Sequence, residues 1–337
     1  MNDDILIEIK DLKTYFTLRE GVVKAVDGAS FSIRRGKTLG VVGESGCGKS
    51  VTAQSIMQIV PKPGQIVEGE INLYLEDESE QQQICITDHK PQSDQMRAIR
   101  GSAISMIFQE PMTSFSPVHS VGNQLAETIH LHQPELDHES RQMVIEMMAR
   151  VGISNPEQNI DAYPHQLSGG MRQRAMIAMA LMLEPSLLIA DEPTTALDVT
   201  TEAQILRLMR TMQSELGMAI MFITHDLGVI AEMADDVVVM YLGRVVEYGD
   251  VVTIFDEPKH PYLRALLTSL PRIGSKTGER LAAIEGMVPN PLDIPSGCPF
   301  HPRCPEAIAG RCDQIVPDEI MVSPGHMVAC HLYGEQD

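Results

Sequence analysis

The sequence predicts an α/β domain built on a mixed or parallel sheet core, with a helical insertion and a small Cys/Pro-rich C-terminal extension. Short apolar runs alternate with stretches of helical periodicity, the pattern of strands joined by covering helices. Three of these runs stop abruptly: Thr38-Leu39-Gly40-Val41-Val42 at Gly43, Leu187-Leu188-Ile189-Ala190 at Asp191, and Ala219-Ile220-Met221-Phe222-Ile223 at Thr224-His225. Beyond about residue 258 the texture changes, and Pro, Gly and Cys become dense. Open parallel sheets bind ligands beyond the carboxyl ends of their strands, so the three end points indicate one site.

The N-terminal MNDDILIEIK is acidic and leads into no long apolar segment, so no secretory leader is expected. The apolar stretch from Ala175 to Leu183 falls far short of the roughly 20 residues of a membrane span. A cytosolic chain is expected, with any membrane association running through a protein partner. The net charge of −20 argues against binding bulk nucleic acid or anionic lipid surfaces. Methionine, at 21 residues, reads as adaptable core filler. Residues 76–95 are polar and read as a surface excursion between strands. The periodicity of Arg141-Gln142-Met143-Val144-Ile145-Glu146-Met147-Met148 places a helical insertion across about 120–165.

The segment Gly43-Glu44-Ser45-Gly46-Cys47-Gly48-Lys49-Ser50 fits G-x-x-x-x-G-K-[ST], after a strand and before a helix beginning near Val51. Glycines let backbone N–H groups wrap phosphate, and the helix start adds positive potential. Lys49 is expected to reach the β/γ-phosphates of ATP and Ser50 to hold Mg²⁺. Ser45, Gly46, Cys47, Gly48 and Val51 complete the candidate nucleotide contacts; Cys47 reads as a small turn residue. Asp191 emerges from a buried strand where a metal would sit, and Glu192 follows as candidate general base. In Leu167-Ser168-Gly169-Gly170-Met171-Arg172-Gln173-Arg174, Ser168-Gly169-Gly170 opens another helix and forms a second anion-directed terminus. Two such termini cannot both serve one nucleotide, which invites a dimer.

These motifs, in this order and spacing, make the chain resemble ABC ATPases, and the resemblance implies a P-loop NTPase fold of ABC type. It makes 1–258 a nucleotide-binding domain, with a helical subdomain at about 110–166, and 259–337 an extension. Phe108-Gln109-Glu110 is similar to the family's glutamine loop, Ala196-Leu197-Asp198 to its D-loop and Thr224-His225-Asp226 to its switch histidine. By that resemblance Gln109 senses Mg²⁺ and water, His225 contacts the γ-phosphate, and Ser168, Gly169 and Gly170 contact ATP held by a partner's loop. Phe16, or else Tyr15, stands where the family stacks an aromatic on adenine. Met171 departs from the glutamine usual after the second signature glycine.

The extended segment Ile107–Pro117, Tyr163-Pro164-His165-Gln166-Leu167-Ser168-Gly169-Gly170 and His260-Pro261-Tyr262-Leu263-Arg264-Ala265-Leu266-Leu267 resemble the oligopeptide/dipeptide importer ATPases more closely. The resemblance runs from about residue 5 to about 332. It implies a second homologous ATPase, two permeases, an extracytoplasmic solute-binding protein acting indirectly, and a peripheral place on the cytoplasmic membrane face. Residues 110–118 and the helical insertion would receive a permease's coupling helix. Relatives in this group also move nickel or oligosaccharides, so the cargo stays open. Two other classes are weighed: a soluble ABC ATPase in repair or translation, which usually has two cassettes or a long coiled coil, and an ATP-binding module without turnover. One phosphate loop without sustained heptads counts against the first, and intact Glu192 and His225 against the second.

Cys298, Cys304, Cys312 and Cys330 remain, spaced C-x₅-C-x₇-C-x₁₇-C. Zinc sites favour tight C-x₂-C pairs, which are missing, while loosely spaced thiolates suit an iron–sulfur cluster. The subfamily's tail has a similar pattern, and the resemblance implies a 4Fe–4S cluster in at least some members. The cluster, zinc, and packing thiols all stay open, with His301 and His331 as substitute ligands and a structural role expected for any metal.

Overall fold

The computed structural model describes residues 4–76, 81–109, 115–195, 197–269 and 284–334. The chain separates into two compact units: Ile7–Ser32, Leu39–Thr87 and Thr224–Asp337 form a tail-bearing unit, and Met1–Leu6, Ile33–Thr38 and Asp88–Ile223 a helical unit.

In the tail-bearing unit, β1 (Ile5–Leu18) and β2 (Gly21–Arg34) are long strands, and β3 (Thr38–Val42) is short and buried at every residue. Its unbroken apolar run is what a strand covered on both faces requires. β4 (Gly64–Glu76) and β5 (Gln81–Cys85) follow, giving a sheet of order β2-β1-β4-β5. β1 pairs antiparallel with β4, setting Phe16 opposite Gly64. The polar stretch read as an excursion therefore contains a strand. Its glutamines are not among the β-branched and aromatic residues enriched in strands, but Ile84 pairs with Leu73 and Cys85 with Asn72, while Gln83 donates to the Asn72 side chain at 3.1 Å.

The helical unit carries β6 (Ile104–Ile107), β7 (Leu187–Asp191) and β8 (Ala219–Ile223), all buried and pairing in parallel, β6 with β7 and β7 with β8. The insertion is helical at Val121–His132, Ser140–Arg150 and Pro156–Asn159. Val121, Leu125 and Ile129 of its first helix and Val144, Met147 and Met148 of its second are buried. The helix Gly169–Leu181 buries residues around most of its girth, which accounts for the apolar stretch beginning at Ala175. Met209, Met212, Met218 and Met221 are no more than 1% exposed, as expected of methionine used as core filler.

The tail-bearing unit resumes with β9 (Asp236–Tyr241), parallel to β3, and β10 (Arg244–Asp250), antiparallel to β9. The tail's β11 (Glu319–Ser323) and β12 (His326–Ala329) form a hairpin, and β12 pairs antiparallel with β10, so the last described strands extend this unit's sheet. A buried carboxylate fastens the join. Glu247 in β10 accepts from the Lys259 and His260 N–H groups at 2.8 and 2.6 Å and contacts His326 Nε2 at 2.8 Å. His260 in turn caps the helix Pro261–Thr268, its Nδ1 accepting from Tyr262 N–H at 3.0 Å. Phe300 packs against Tyr241 and Tyr262 at ring separations of 5.2 and 5.4 Å. Among the described residues, no helix is long and apolar enough to cross a membrane.

Candidate functional site

β3 delivers the chain into the turn 43–48, and the helix Lys49–Ile56 follows at once. Gly43 and Gly48 have φ of +154° and +104°. A β-carbon at Gly43 would run into the Met240 carbonyl, and one at Gly48 into that of Ala25. Backbone therefore packs where side chains would stand. Lys49, 6% exposed, donates to the Gly43 and Glu44 carbonyls at 2.7 and 3.1 Å, and its Nζ lies 3.7 Å from Cys47 Sγ. Burial holds the Cys47 thiol above its ordinary range. The helix has neither a side-chain cap nor an acidic residue in its first turn, so its positive end is not neutralised locally. Ser45 and Gly46 are exposed, and Ser50 and Val51 half-buried. The loop suits a polyphosphate, and the Ser50 hydroxyl is a hard oxygen donor of the kind Mg²⁺ takes.

The same unit carries His225. Thr224 N–H donates to the Val41 carbonyl at 3.3 Å, fixing the segment beside β3. Asp226 caps the helix Leu227–Met233 through Gly228 N–H at 2.7 Å, and its own N–H donates to Thr224 Oγ1 at 3.0 Å. His225 stands exposed between these fixed points. The two aromatic candidates part company. Tyr15 donates to the Asp27 carboxylate, which Arg244 also holds at 2.6 Å; burial, then that hydrogen bond, push the phenol up to about 12. The half-buried Phe16 ring lies against Gly64, close enough that a β-carbon there would meet it at 2.6 Å.

In the helical unit, β7 ends at Asp191, 4% exposed, and the next residue turns sharply: Glu192 has φ +48°. That conformation is strained for a side chain bearing a β-carbon and is typical of functional turns. Its N–H donates to the Ile223 carbonyl at 2.9 Å. Its carboxylate accepts from Gln109 Nε2 at 3.0 Å and from Thr195 Oγ1 at 2.9 Å. The two residues expected to handle water are thus brought together although 83 positions apart. Ser168 caps the helix Gly169–Leu181, its Oγ accepting from Met171 N–H at 3.3 Å, with no acid in the first turn. Ser168 and Gly169 are exposed. Asp198 caps the helix Val199–Leu216; the Thr201 hydroxyl at 2.7 Å, then the Thr201 and Thr200 N–H groups, hold its carboxyl below the usual range. Glu110 to Ser114 and Ala196, parts of the expected glutamine loop and D-loop, lie outside the described residues.

Sequence reasoning assigned nothing to Gln173 or Thr195. Gln173 is fully buried and donates to the Pro193 carbonyl, one residue beyond Glu192. No composition or spacing signal marks either residue; each acts through a contact formed only in the fold.

The expected metal-binding tail is corrected. Among the described residues no group of three or more His, Cys, Asp or Glu is arranged to hold a metal ion, so neither an iron–sulfur cluster nor zinc on Cys298, Cys304, Cys312 and Cys330 is supported. The four are free cysteines, and burial pushes the Cys298 and Cys330 thiols up to about 11 and raises that of Cys304. Cys312 Sγ lies 3.3 Å from Ile308 N–H, and the ring nitrogens of His301 and His331 contact the Cys298 and Ile315 carbonyls at 3.0 and 2.8 Å. Packing thiols are the reading that stands.

A buried strand, a glycine turn, a lysine and a helix in this order make the P-loop class of nucleotide-binding fold. The family model for ABC transporters matches residues 26–195, and that for the oligopeptide/dipeptide transporter C-terminal region matches 246–312. A probable peptide ABC transporter ATP-binding protein of Sinorhizobium fredii is 48% identical over 97% of this chain and 95% of its own length. The oligopeptide transport ATP-binding protein AppD of Bacillus subtilis is 47% identical over 98% of each chain. Among solved structures, cbiO1 of Clostridium perfringens, part of the ABC transporter complex cbiONQ, superposes with a TM-score of 0.61 at 28% identity, covering 76% of this chain and 92% of that one. The chain belongs to the ABC transporter family.

Proposed function

We propose that Lys49 and the 43–48 loop take the phosphate charge of ATP, and that Glu192 activates the water that attacks it. The chain is an ATP-binding and ATP-hydrolysing subunit of a peptide ABC importer, working with permease subunits and a solute-binding protein. The relatives' names, which give peptide or oligopeptide transport, support that cargo. Ser50, Asp191 and Gln109 are the residues that would hold Mg²⁺, and the ion would there neutralise developing phosphate charge. Gln109 orients Glu192 and the water, His225 meets the γ-phosphate, and Phe16 stacks on adenine. Gly43, Ser45, Gly46, Cys47, Gly48 and Val51 form the cradle. Ser168, Gly169 and Gly170 face the ATP of a second, homologous ATPase, and Asp198 lies at that boundary. The assembly sits peripherally on the cytoplasmic face of its membrane.

The observation that carries the hydrolytic reading is the 3.0 Å bond from Gln109 to Glu192 at the end of β7. Glu192→Gln tests it. General-base loss costs about 10²–10⁴ in turnover, so the variant should bind ATP, accumulate as a closed dimer and lose at least 100-fold in hydrolysis. Wild-type turnover would refute the assignment.

A further inference from the structure

The tail reaches the phosphate loop through one side chain. Arg303, on a short 3₁₀ turn His301–Arg303 of the extension, grips the Glu44 carboxylate with both ends of its fork: Nη1 to Oε2 at 2.7 Å and Nη2 to Oε1 at 3.0 Å. The arginine side chain is only 4% exposed and that of Glu44 24%. Four further contacts fix the guanidinium. Its Nε donates to the Glu285 carbonyl at 3.2 Å, Nη1 donates to Tyr241 Oη at 3.3 Å, and its carbon lies 5.9 Å from the Tyr241 and Phe300 ring centres. Glu44 is held from a second side as well, its N–H donating to Tyr262 Oη at 2.8 Å. Both groups gripping Glu44 lie after residue 258, and Glu44 immediately follows the first loop glycine.

Glu44 is otherwise misplaced. A carboxylate in the loop that takes a polyphosphate repels it, and that repulsion is only weakly screened at a half-buried position. A bidentate arginine removes the net charge and sets the carboxylate's direction, which a lysine point charge does less well.

We propose that Arg303 is a positioning residue for ATP binding, by which the C-terminal extension neutralises Glu44 and sets the entry of the phosphate loop. The inference rests on the reading of 43–50 as the ATP phosphate loop. It makes nucleotide affinity depend on the folded state of the tail, so a partner that displaced the 298–304 segment would weaken ATP binding.

The test is equilibrium binding of Mg·ATP to the full chain, with Arg303→Ala, Arg303→Lys, Glu44→Gln and the Arg303→Ala/Glu44→Gln pair, and Lys49→Ala as control. Arg303→Ala should weaken binding about tenfold, equivalent to ~1.4 kcal/mol, and Arg303→Lys by less. The double variant should recover most of the loss, because no uncompensated charge remains. Glu44→Gln alone should bind at least as tightly as the unaltered chain, and it keeps the idea testable should Arg303→Ala fail to fold. Unchanged affinity in Arg303→Ala, no recovery in the double variant, or weaker binding in Glu44→Gln overturns the proposal. Unchanged binding in Lys49→Ala instead overturns the phosphate-loop reading beneath it.

Discussion

Phe300→Ala should cost the tail-bearing unit about 4 kcal/mol. Phe300 is 1% exposed and stands among three rings: Tyr241 edge-on at 5.2 Å and 85°, Tyr262 at 5.4 Å and His260 at 5.8 Å. Burying about 200 Å² at ~25 cal/mol per Å² gives ~5 kcal/mol. A compact denatured state lowers that by roughly 10–40%, and the edge-on pair restores ~1 kcal/mol. Rings on several sides are rigid and collapse poorly into the space left behind, which keeps the cost within the ~3–5 kcal/mol usual for Phe→Ala. Phe300→Leu retains most of the volume and should lose about 1.5 kcal/mol. The chain has no tryptophan, so near-UV circular dichroism reports tyrosine packing around the site and far-UV signal in urea gives the unfolding midpoint. A loss under about 1.5 kcal/mol for alanine, or equal losses for alanine and leucine, would refute the claim that ring packing holds this region together.

Two other perturbations follow from the same geometry. Burial, then the Arg264 charge, hold the His260 imidazole down at about 3 against an ordinary 6.5. The unfolded chain takes up a proton below 6.5 that the folded chain refuses, so this group removes up to ~1.4 kcal/mol per pH unit as pH falls toward 3. His260→Asn keeps a capping acceptor and should flatten the urea-midpoint slope between pH 4 and 6.5; an unchanged slope would contradict the assignment. Gly48→Ala forces a β-carbon onto the Ala25 carbonyl at φ +104°. It should abolish ATP binding while far-UV dichroism stays near that of the parent, and binding within threefold would show that the turn tolerates rearrangement.

The core strands were readable because burial on both faces demands uninterrupted apolar runs: Thr38–Val42 and Ala219–Ile223 appear with the bounds the sequence suggests. Ser168 as a helix cap was readable because serine before two glycines and a periodic run has few other uses. β5 was hidden because its reason for being a strand lies in the neighbouring residues of β4 rather than in its glutamines. The cysteine spacing misled for a related cause: separation along the chain says how far thiols can travel, while whether they converge as ligands is set by packing. The left-handed turn at Glu192 was equally invisible, since glutamate does not announce positive φ as glycine does.

The hairpin of β11 and β12 bears on solubility. β12 occupies the hydrogen-bonding edge of β10, and β11, whose residues alternate between exposed and half-exposed, becomes the outer strand and carries Glu319. A chain cut before His326 would leave β10 with a row of unanswered N–H and C=O groups beside an apolar Val245-Val246, an open template for another strand. Such a truncation would self-associate for want of a cover, and its insolubility would reflect an uncapped sheet margin rather than a lost transport activity.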